Sequence, residues 1–225
     1  GSITSNVRVQ PSAGFSIVSY TGGSANSTVG HGLGAAPYLI ICKSRNQGSA
    51  GWDVYHRSLG KDKFLILNEN YAEGVYSNHW GTSEPNSTVF GVSQVNYYNN
   101  HGDMIAYCFS PVAGYSAFGS YTGNGNRSNG PFVYLGFKPA WILIKSATEN
   151  TRWYLYDVKR DPYNRAENKL SPNESTAEST TEFADFLSNG FKLMIDYGGI
   201  NDTNKTYIYA AFAENPFASN GGLAR

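Results

Sequence analysis

Apolar residues along the chain fall either in strict alternation with polar ones or in short runs of four to eight, and Gly, Pro, Asn or Ser bounds nearly every run. Period-2 alternation marks a half-buried strand, and a short bounded apolar run marks a strand covered on both faces. The clearest example is Gly32-Leu-Gly-Ala-Ala-Pro-Tyr-Leu-Ile-Ile-Cys-Lys-Ser44. A Gly turn, a Pro that closes it, apolar residues and a Lys predict a turn feeding a buried strand that surfaces at its charged end. The same unit returns as Tyr134-Leu-Gly-Phe-Lys-Pro-Ala-Trp-Ile-Leu-Ile-Lys-Ser146, with Leu33, Gly34, Pro37, Ile40, Lys43 and Ser44 each displaced by 102 positions.

Other segments repeat in step. Ser19-Tyr-Thr-Gly22 answers Ser120-Tyr-Thr-Gly123, Trp52 and Tyr55 answer Trp153 and Tyr156, and Met104–Pro111 answers Tyr207–Ala213. Lys63–Asn68 pairs only loosely with Asn168–Asn173. Asn189-Gly190 between apolar runs predicts a hairpin. The pattern predicts an all-β protein, an antiparallel β-sandwich or jelly-roll-like fold built from two homologous repeats of about 100 residues, each with about six short strands. Its parts are a polar lead-in (1–13), repeat one (14–112), repeat two (113–217) and a tail (218–225). The short, partly apolar join Ser110–Gly114 predicts that the repeats pack together. Glu174–Phe183 is the one helical candidate; it lacks an apolar stripe and reads as a loop with at most a turn of helix. Trp52 and Trp153, matched across the repeats, read as core. Lys43 and Lys145 read as strand-end lysines with solvated heads.

Composition narrows the function classes. Seventeen basic and seventeen acidic residues cancel, so no net charge draws the chain to nucleic acid. No apolar run approaches the ~20 residues of a membrane helix, so membrane insertion is not expected. No signal peptide is visible, and Gly1-Ser2 has the character of a cloning remnant, which would make the chain a piece of a longer protein. Charged residues are only 15%, whereas aromatics reach the same share with seventeen Tyr, which suits a turn-rich protein presenting neutral polar surface. Cys42 and Cys108 read as buried free thiols, with a single bridge as the alternative. Six Asn-x-Ser/Thr triplets, at Asn26, Asn86, Asn126, Asn173, Asn201 and Asn204, read as loop composition.

No nucleophile elbow, phosphate loop, zinc-protease helix or calcium loop occurs. The four histidines, His31, His56, His79 and His101, are scattered, and no metal or other cofactor is expected. A glycosidase needs two facing carboxylates, and spacing selects no pair among Asp53, Asp62, Glu69, Glu73 and Glu84; the chain does not read as an enzyme. Binding has more to rest on. Tyr76-Ser-Asn-His-Trp80 and Val95–His101 combine aromatic faces with amides and imidazoles and lack close counterparts in the second repeat. Aromatic faces stack on the C–H side of a sugar ring while amides and imidazoles bond its hydroxyls, so Tyr76, Asn78, His79, Trp80, Tyr97, Tyr98, Asn99 and His101 are the candidate glycan contacts. The competing reading makes Trp80 a plug at the end of a sandwich and Tyr97-Tyr98 a cover for a sheet edge.

The blocks Thr28–Pro37, Trp52–His56 with Ser58-Leu-Gly60, Ser87–Val92, Ala106–Pro111, Phe118–Gly125, Asp185–Leu193 and Tyr207–Ala213, running on to residue 217, resemble a domain of tailed-phage virion proteins, notably marine ones. Such lectin-like domains are similar to C-terminal parts of tail fibre or tail-tip proteins. The resemblance covers nearly all of residues 14–217. It implies a virion location, after assembly in the host cytoplasm, and other tail proteins as partners. It further implies a structural or host-recognition role, for which a host cell-surface polysaccharide or lipopolysaccharide is the expected ligand, and it supplies no binding residues to carry over. Multivalent presentation leads to the expectation of a homotrimer or similar assembly in the full protein. The alternatives are a purely structural tail component and a depolymerase of the same glycans.

Overall fold

A computed structural model describes residues 1–23, 25–93 and 98–216, leaving aside the side chain of Glu182. The chain is all-β with antiparallel sheets and divides into two compact units, one of residues 1–69 and 73–111, the other of residues 70–72 and 112 onward.

The first unit holds β1 (Ser5–Gln10), β2 (Phe15–Gly22), β3 (Ser27–Gly30), β4 (Leu39–Ser44), β5 (Asp53–His56), β6 (Lys63–Ile66), β7 (Gly74–Val75), β8 (Val89–Val92) and β9 (Gly102–Phe109). Seven strands form one sheet in the order β1-β2-β9-β4-β5-β6-β7, and β3 pairs with β8 in a separate ribbon. Alternate residues of the sheet (Val18, Ile40, Cys42, Tyr55, Met104) meet Val29, Phe90 and Val92 of the ribbon in one core. Residues 3–13, expected as a lead-in, instead supply an edge strand. In β1 the alternation of Asn6, Arg8 and Gln10 with Ser5, Val7 and Val9 turns Val7 toward the core, where it packs, while Val9 near the strand's end stays exposed.

The second unit holds β10 (Ser116–Thr122), β11 (Phe132–Tyr134), β12 (Pro139–Ser146), β13 (Trp153–Asp157), β14 (Ala166–Lys169), β15 (Ser179–Leu187), β16 (Gly190–Leu193) and β17 (Thr206–Ala213). Two four-stranded sheets, β10-β17-β12-β13 and β11-β16-β15-β14, share a core. Ile142, Tyr156 and Tyr207 of one sheet face Phe183, Phe191 and Leu193 of the other, and Tyr156 stacks on Phe183 at 4.0 Å. The stretch expected to be a loop with a turn of helix ends in β15, because pairing with β14 and β16 decides what local polarity left open. The expected hairpin joins β15 to β16 across Ser188 and Asn189.

The order β2-β9-β4-β5 in one unit parallels β10-β17-β12-β13 in the other. Gly34 and Gly136, at φ 73° and 80°, open the turns before β4 and β12 in a left-handed conformation that costs a glycine nothing. Tyr20 donates its hydroxyl hydrogen to the carbonyl of Asn99 at 2.6 Å, and Tyr121 does so to that of Ile200 at 2.8 Å. The Ser44 and Ser146 hydroxyls accept from the amides of Gln47 and Glu149.

The lysine heads are not solvated as expected. Lys43 Nζ donates to the carbonyls of Ser44, Gln47 and Ala50, and Lys145 Nζ to those of Ser146 and Glu149. Each head folds back to satisfy carbonyls of the turn that follows its strand, a need invisible in the spacing. Lys145 is fully buried, and desolvation brings its pKa down to about 8. Trp153 is buried and Trp52 half-buried. Cys42 and Cys108 are free, buried thiols, and burial pushes Cys108 up to about 12. No helix among the described residues is long and apolar enough to cross a membrane.

Candidate functional site

The stretch Tyr76–Trp80 forms a turn whose first half faces solvent and whose second half is interior. Tyr76 is 46% exposed, whereas His79 and Trp80 are 3% and 0% exposed. Asn78 takes a left-handed conformation (φ 61°); its amide donates to Asp62 Oδ1 at 2.6 Å, and its side-chain oxygen accepts from Lys61 Nζ. His79 Nε2 lies 2.8 and 3.0 Å from the two carboxylate oxygens of Asp53, and its ring stacks on Phe64 at 4.0 Å. Asn99 is buried too, and its Nδ2 donates to Asp53 Oδ2 at 3.1 Å and to the carbonyl of His79 at 3.0 Å. Trp80 sits edge-on to Tyr55 in the core.

Three of the candidate glycan contacts, His79, Trp80 and Asn99, are thus internal supports. Their polar atoms or faces are spent on Asp53, Phe64 and Tyr55, because a buried carboxylate needs donors and a large ring so enclosed has no face left for a ligand. Tyr76, Asn78, Tyr98 and His101 keep contact with solvent; Tyr97 lies outside the described residues. The structure gathers residues 76–80 and 99 around Asp53. That residue had stood in the sequence as one acid among several, with nothing in its spacing to mark it.

What this knot supports is a cleft. Gly81 follows Trp80 directly and lines, with Thr82, Ser83, Glu84 and Asn86, one wall of a cavity of about 340 Å³; Asn26, Ser27 and Thr28 of the ribbon line the other. Two of the lining residues, Gly81 and Gly91, pack main chain against main chain. A Cβ on Gly81 would come 2.7 Å from the Gly91 Cα, and one on Gly91 would come 2.4 Å from the Trp80 carbonyl oxygen, so no larger residue fits either position.

The wall is fixed from behind. Tyr55 donates to Glu84 Oε2 at 2.7 Å and the Lys61 amide to Glu84 Oε1 at 2.9 Å. Burial, then the hydrogen bond to Glu84, raise the Tyr55 phenol far above its ordinary pKa and keep it a donor. Asn86 Oδ1 accepts from the amides of Thr88 and Val89. Fully buried His31 accepts the Leu33 amide at Nδ1, which leaves its proton on Nε2 for the Asn86 carbonyl at 3.0 Å. Desolvation lowers the His31 pKa and favours this neutral form. What faces the opening is apolar surface that includes Val89, together with hydroxyls and amides of mixed donor and acceptor character and a carboxylate whose two oxygens already accept internal bonds. Such a set can exchange hydrogen bonds with an uncharged polyhydroxyl ligand. Among the described residues no group of three or more His, Cys, Asp or Glu is placed to hold a metal ion.

The cleft residues escaped the sequence reading, which stopped at Trp80. The unbroken small and polar run Gly81-Thr-Ser-Glu-Pro-Asn-Ser-Thr88, with no counterpart at the equivalent place in the second half, was the available signal.

Comparison of the chain with curated proteins and with solved structures gives no match. A family described as a domain of unknown function (DUF7483) matches residues 1–216, nearly the whole chain, and the protein belongs to that family.

Proposed function

We propose that the protein is a non-catalytic glycan-binding module of a phage tail, recognising a host cell-surface polysaccharide or lipopolysaccharide through the cleft of its first unit. The supporting observation is the cleft itself, whose Thr28, Thr82, Ser83 and Asn86 offer neutral donors and acceptors beside closely packed Gly81 and Gly91. Sugar hydroxyls match such groups without needing charge. The location on a tail, the neighbouring tail proteins and the trimeric presentation rest on the sequence resemblance to virion domains. In the same reading the two units are duplicated copies of one sandwich-like ancestor. The shared strand order and the paired tyrosine-to-carbonyl bonds support this.

The test is binding of purified host polysaccharide by calorimetry. Thr82→Val with Ser83→Ala removes two hydroxyls at the surface and is expected to weaken binding roughly thirtyfold, at about 1 kcal/mol per lost hydrogen bond, with the melting curve unchanged. Equal affinity in the variant would move the site elsewhere. Absence of binding to intact host cells, together with co-assembly with another tail protein, would favour the purely structural role.

A further inference from the structure

The second unit carries a surface that the cleft reading leaves unused. On the sheet β11-β16-β15-β14 the inward residues Val133, Phe186 and Phe191 fill the core, so their neighbours in sequence project from the opposite face. Two of these are aromatic and open to solvent: Phe132 is 46% and Tyr134 is 68% exposed. They stand two residues apart on β11, an outermost strand of its sheet, and therefore share one face.

Both rings rest on glycines. A Cβ built on Gly190 would fall 3.1 Å from Phe132 Cζ, and one on Gly136 would fall 3.6 to 3.9 Å from Tyr134 Oη, Cζ and Cε1. With no side chain on either glycine, nothing at these two positions covers the rings. Gly190 is also the cross-strand partner of Tyr134, so no side chain rises between the two aromatics from β16.

Polar groups border the rings. Lys192 pairs across from Phe132, Asp185 pairs across from Lys192 on the far side, and Lys192 Nζ donates to Asn129 Oδ1 at 3.2 Å. The Asn129 amide hydrogens, the ammonium and the Asp185 carboxylate supply donors and acceptors beside an apolar floor. A hexopyranose has the complementary form. Its axial C–H bonds make one apolar face, and its equatorial hydroxyls point outward at the rim.

We propose that Phe132 and Tyr134 form a second carbohydrate site, binding consecutive pyranose rings of an extended, equatorially linked glycan, with Lys192, Asp185 and Asn129 bonding hydroxyls at its edge. The site lies wholly within the second unit and does not depend on the cleft of the first; either can be lost without the other. A protein with one site on each unit holds a long polymer more firmly than either site alone, provided that the polymer can reach both.

The experiment is carbon-resolved NMR of the aromatic rings during titration with a β-1,4-linked glucose hexasaccharide at millimolar concentration. Saturable shifts of the Phe132 and Tyr134 ring signals are expected. Tyr134→Leu, which keeps the apolar bulk but removes the flat face, is expected to weaken the affinity read from the remaining Phe132 signals roughly tenfold, equivalent to ~1.4 kcal/mol. The Thr82→Val, Ser83→Ala variant is expected to leave the shifts unchanged, which separates this site from the cleft. Ring signals that do not move, or a calorimetric affinity for the hexasaccharide that is undiminished in a folded Phe132→Ala, Tyr134→Ala protein, would overturn the proposal.

Discussion

At the same point of their matched sheets, one residue after Trp52 and Trp153, the two units make opposite choices. The first places Asp53 there, and the second Tyr154. Asp53 draws His79 and Asn99 into a buried polar knot. Tyr154 instead presents its ring to Lys169, whose ammonium lies 4.8 Å from the ring centre and 5.1 Å from that of Tyr197. The knot is directional, because a carboxylate in the interior demands donors at fixed distances and angles. The cation–aromatic contact tolerates more displacement. The knot thereby pins the turn Tyr76–Gly81 and with it one wall of the cleft, whereas the second unit, with a parallel strand order, has no carboxylate at that position. Two similar frames can therefore differ in what they offer a ligand through one residue of the interior.

The largest effect that would break this comparison concerns Trp80. If it belongs to the frame, Trp80→Ala costs ~3–5 kcal/mol in urea unfolding by removing a fully enclosed ring. A cost below ~1 kcal/mol, with glycan binding lost, would return Trp80 to the surface and undo the assignment of the knot as support. A second contrast uses the matched tyrosines. Tyr55 donates to Glu84, while the buried Tyr156 hydroxyl has no partner among the described residues. Tyr55→Phe is expected to cost ~1 kcal/mol and Tyr156→Phe to be neutral or slightly stabilising. Equal costs would mean that the two positions are energetically equivalent after all.

The smallest effect separates the units by pH. The folded thiols of Cys42 and Cys108 titrate well above their ordinary value, because burial disfavours the thiolate. The unfolded chain therefore releases protons first, and the first unit loses stability as pH rises above ~8.5. Lys145 has the reverse sign. Its folded pKa, about 8, lies below the unfolded value, so the native state has already shed the proton that the unfolded chain keeps. Stability of the second unit rises between pH ~8 and ~10, above which the buried tyrosines Tyr121, Tyr156 and Tyr207, whose pKa burial raises, turn it downward. At pH 9 each change is of the order of 1 kcal/mol. Hydrogen exchange in β4 and β12, corrected for its intrinsic pH dependence, should show protection falling in one and rising in the other. Lys145→Met should remove most of the rise, leaving the smaller share of Lys169, whose pKa desolvation also lowers.

Much of the frame was legible in the sequence because strands advertise themselves by period. The Gly-Pro turn before β4 and β12, the alternation in β2 and the apolar runs of β9 and β17 all lie where the pattern put them. The failures share one cause, that burial belongs to the fold and not to the residue. His79, Trp80 and Asn99 look like ligand contacts because their types serve sugars and cores equally well, and only the position of Asp53 decides. Lys43 and Lys145 look solvated until the carbonyls of the following turns are seen to need donors. The start of β15 is polar enough to pass for a loop, and its strand state comes from neighbours distant in sequence. The cleft was hidden for a simpler reason: Gly, Thr, Ser and Asn compose both idle loops and polar binding walls.

The side chains of Asn100 and Asn201 carry a consequence for how such a protein can change. Asn100 Nδ2 donates to the carbonyls of Ala25 and Ser93 while its Oδ1 accepts from the Gly23 amide. Asn201 likewise bonds the Ile195 carbonyl and both the amide and the side chain of Asn124. In each unit one interior amide thus staples two neighbouring connections at their roots. A connection held at its root can grow at its tip for little chain entropy, on the order of 0.6 kcal/mol for each doubling of length. Foreign segments grafted beyond those staples should leave the sheets in register, which makes each unit a chassis for new specificities.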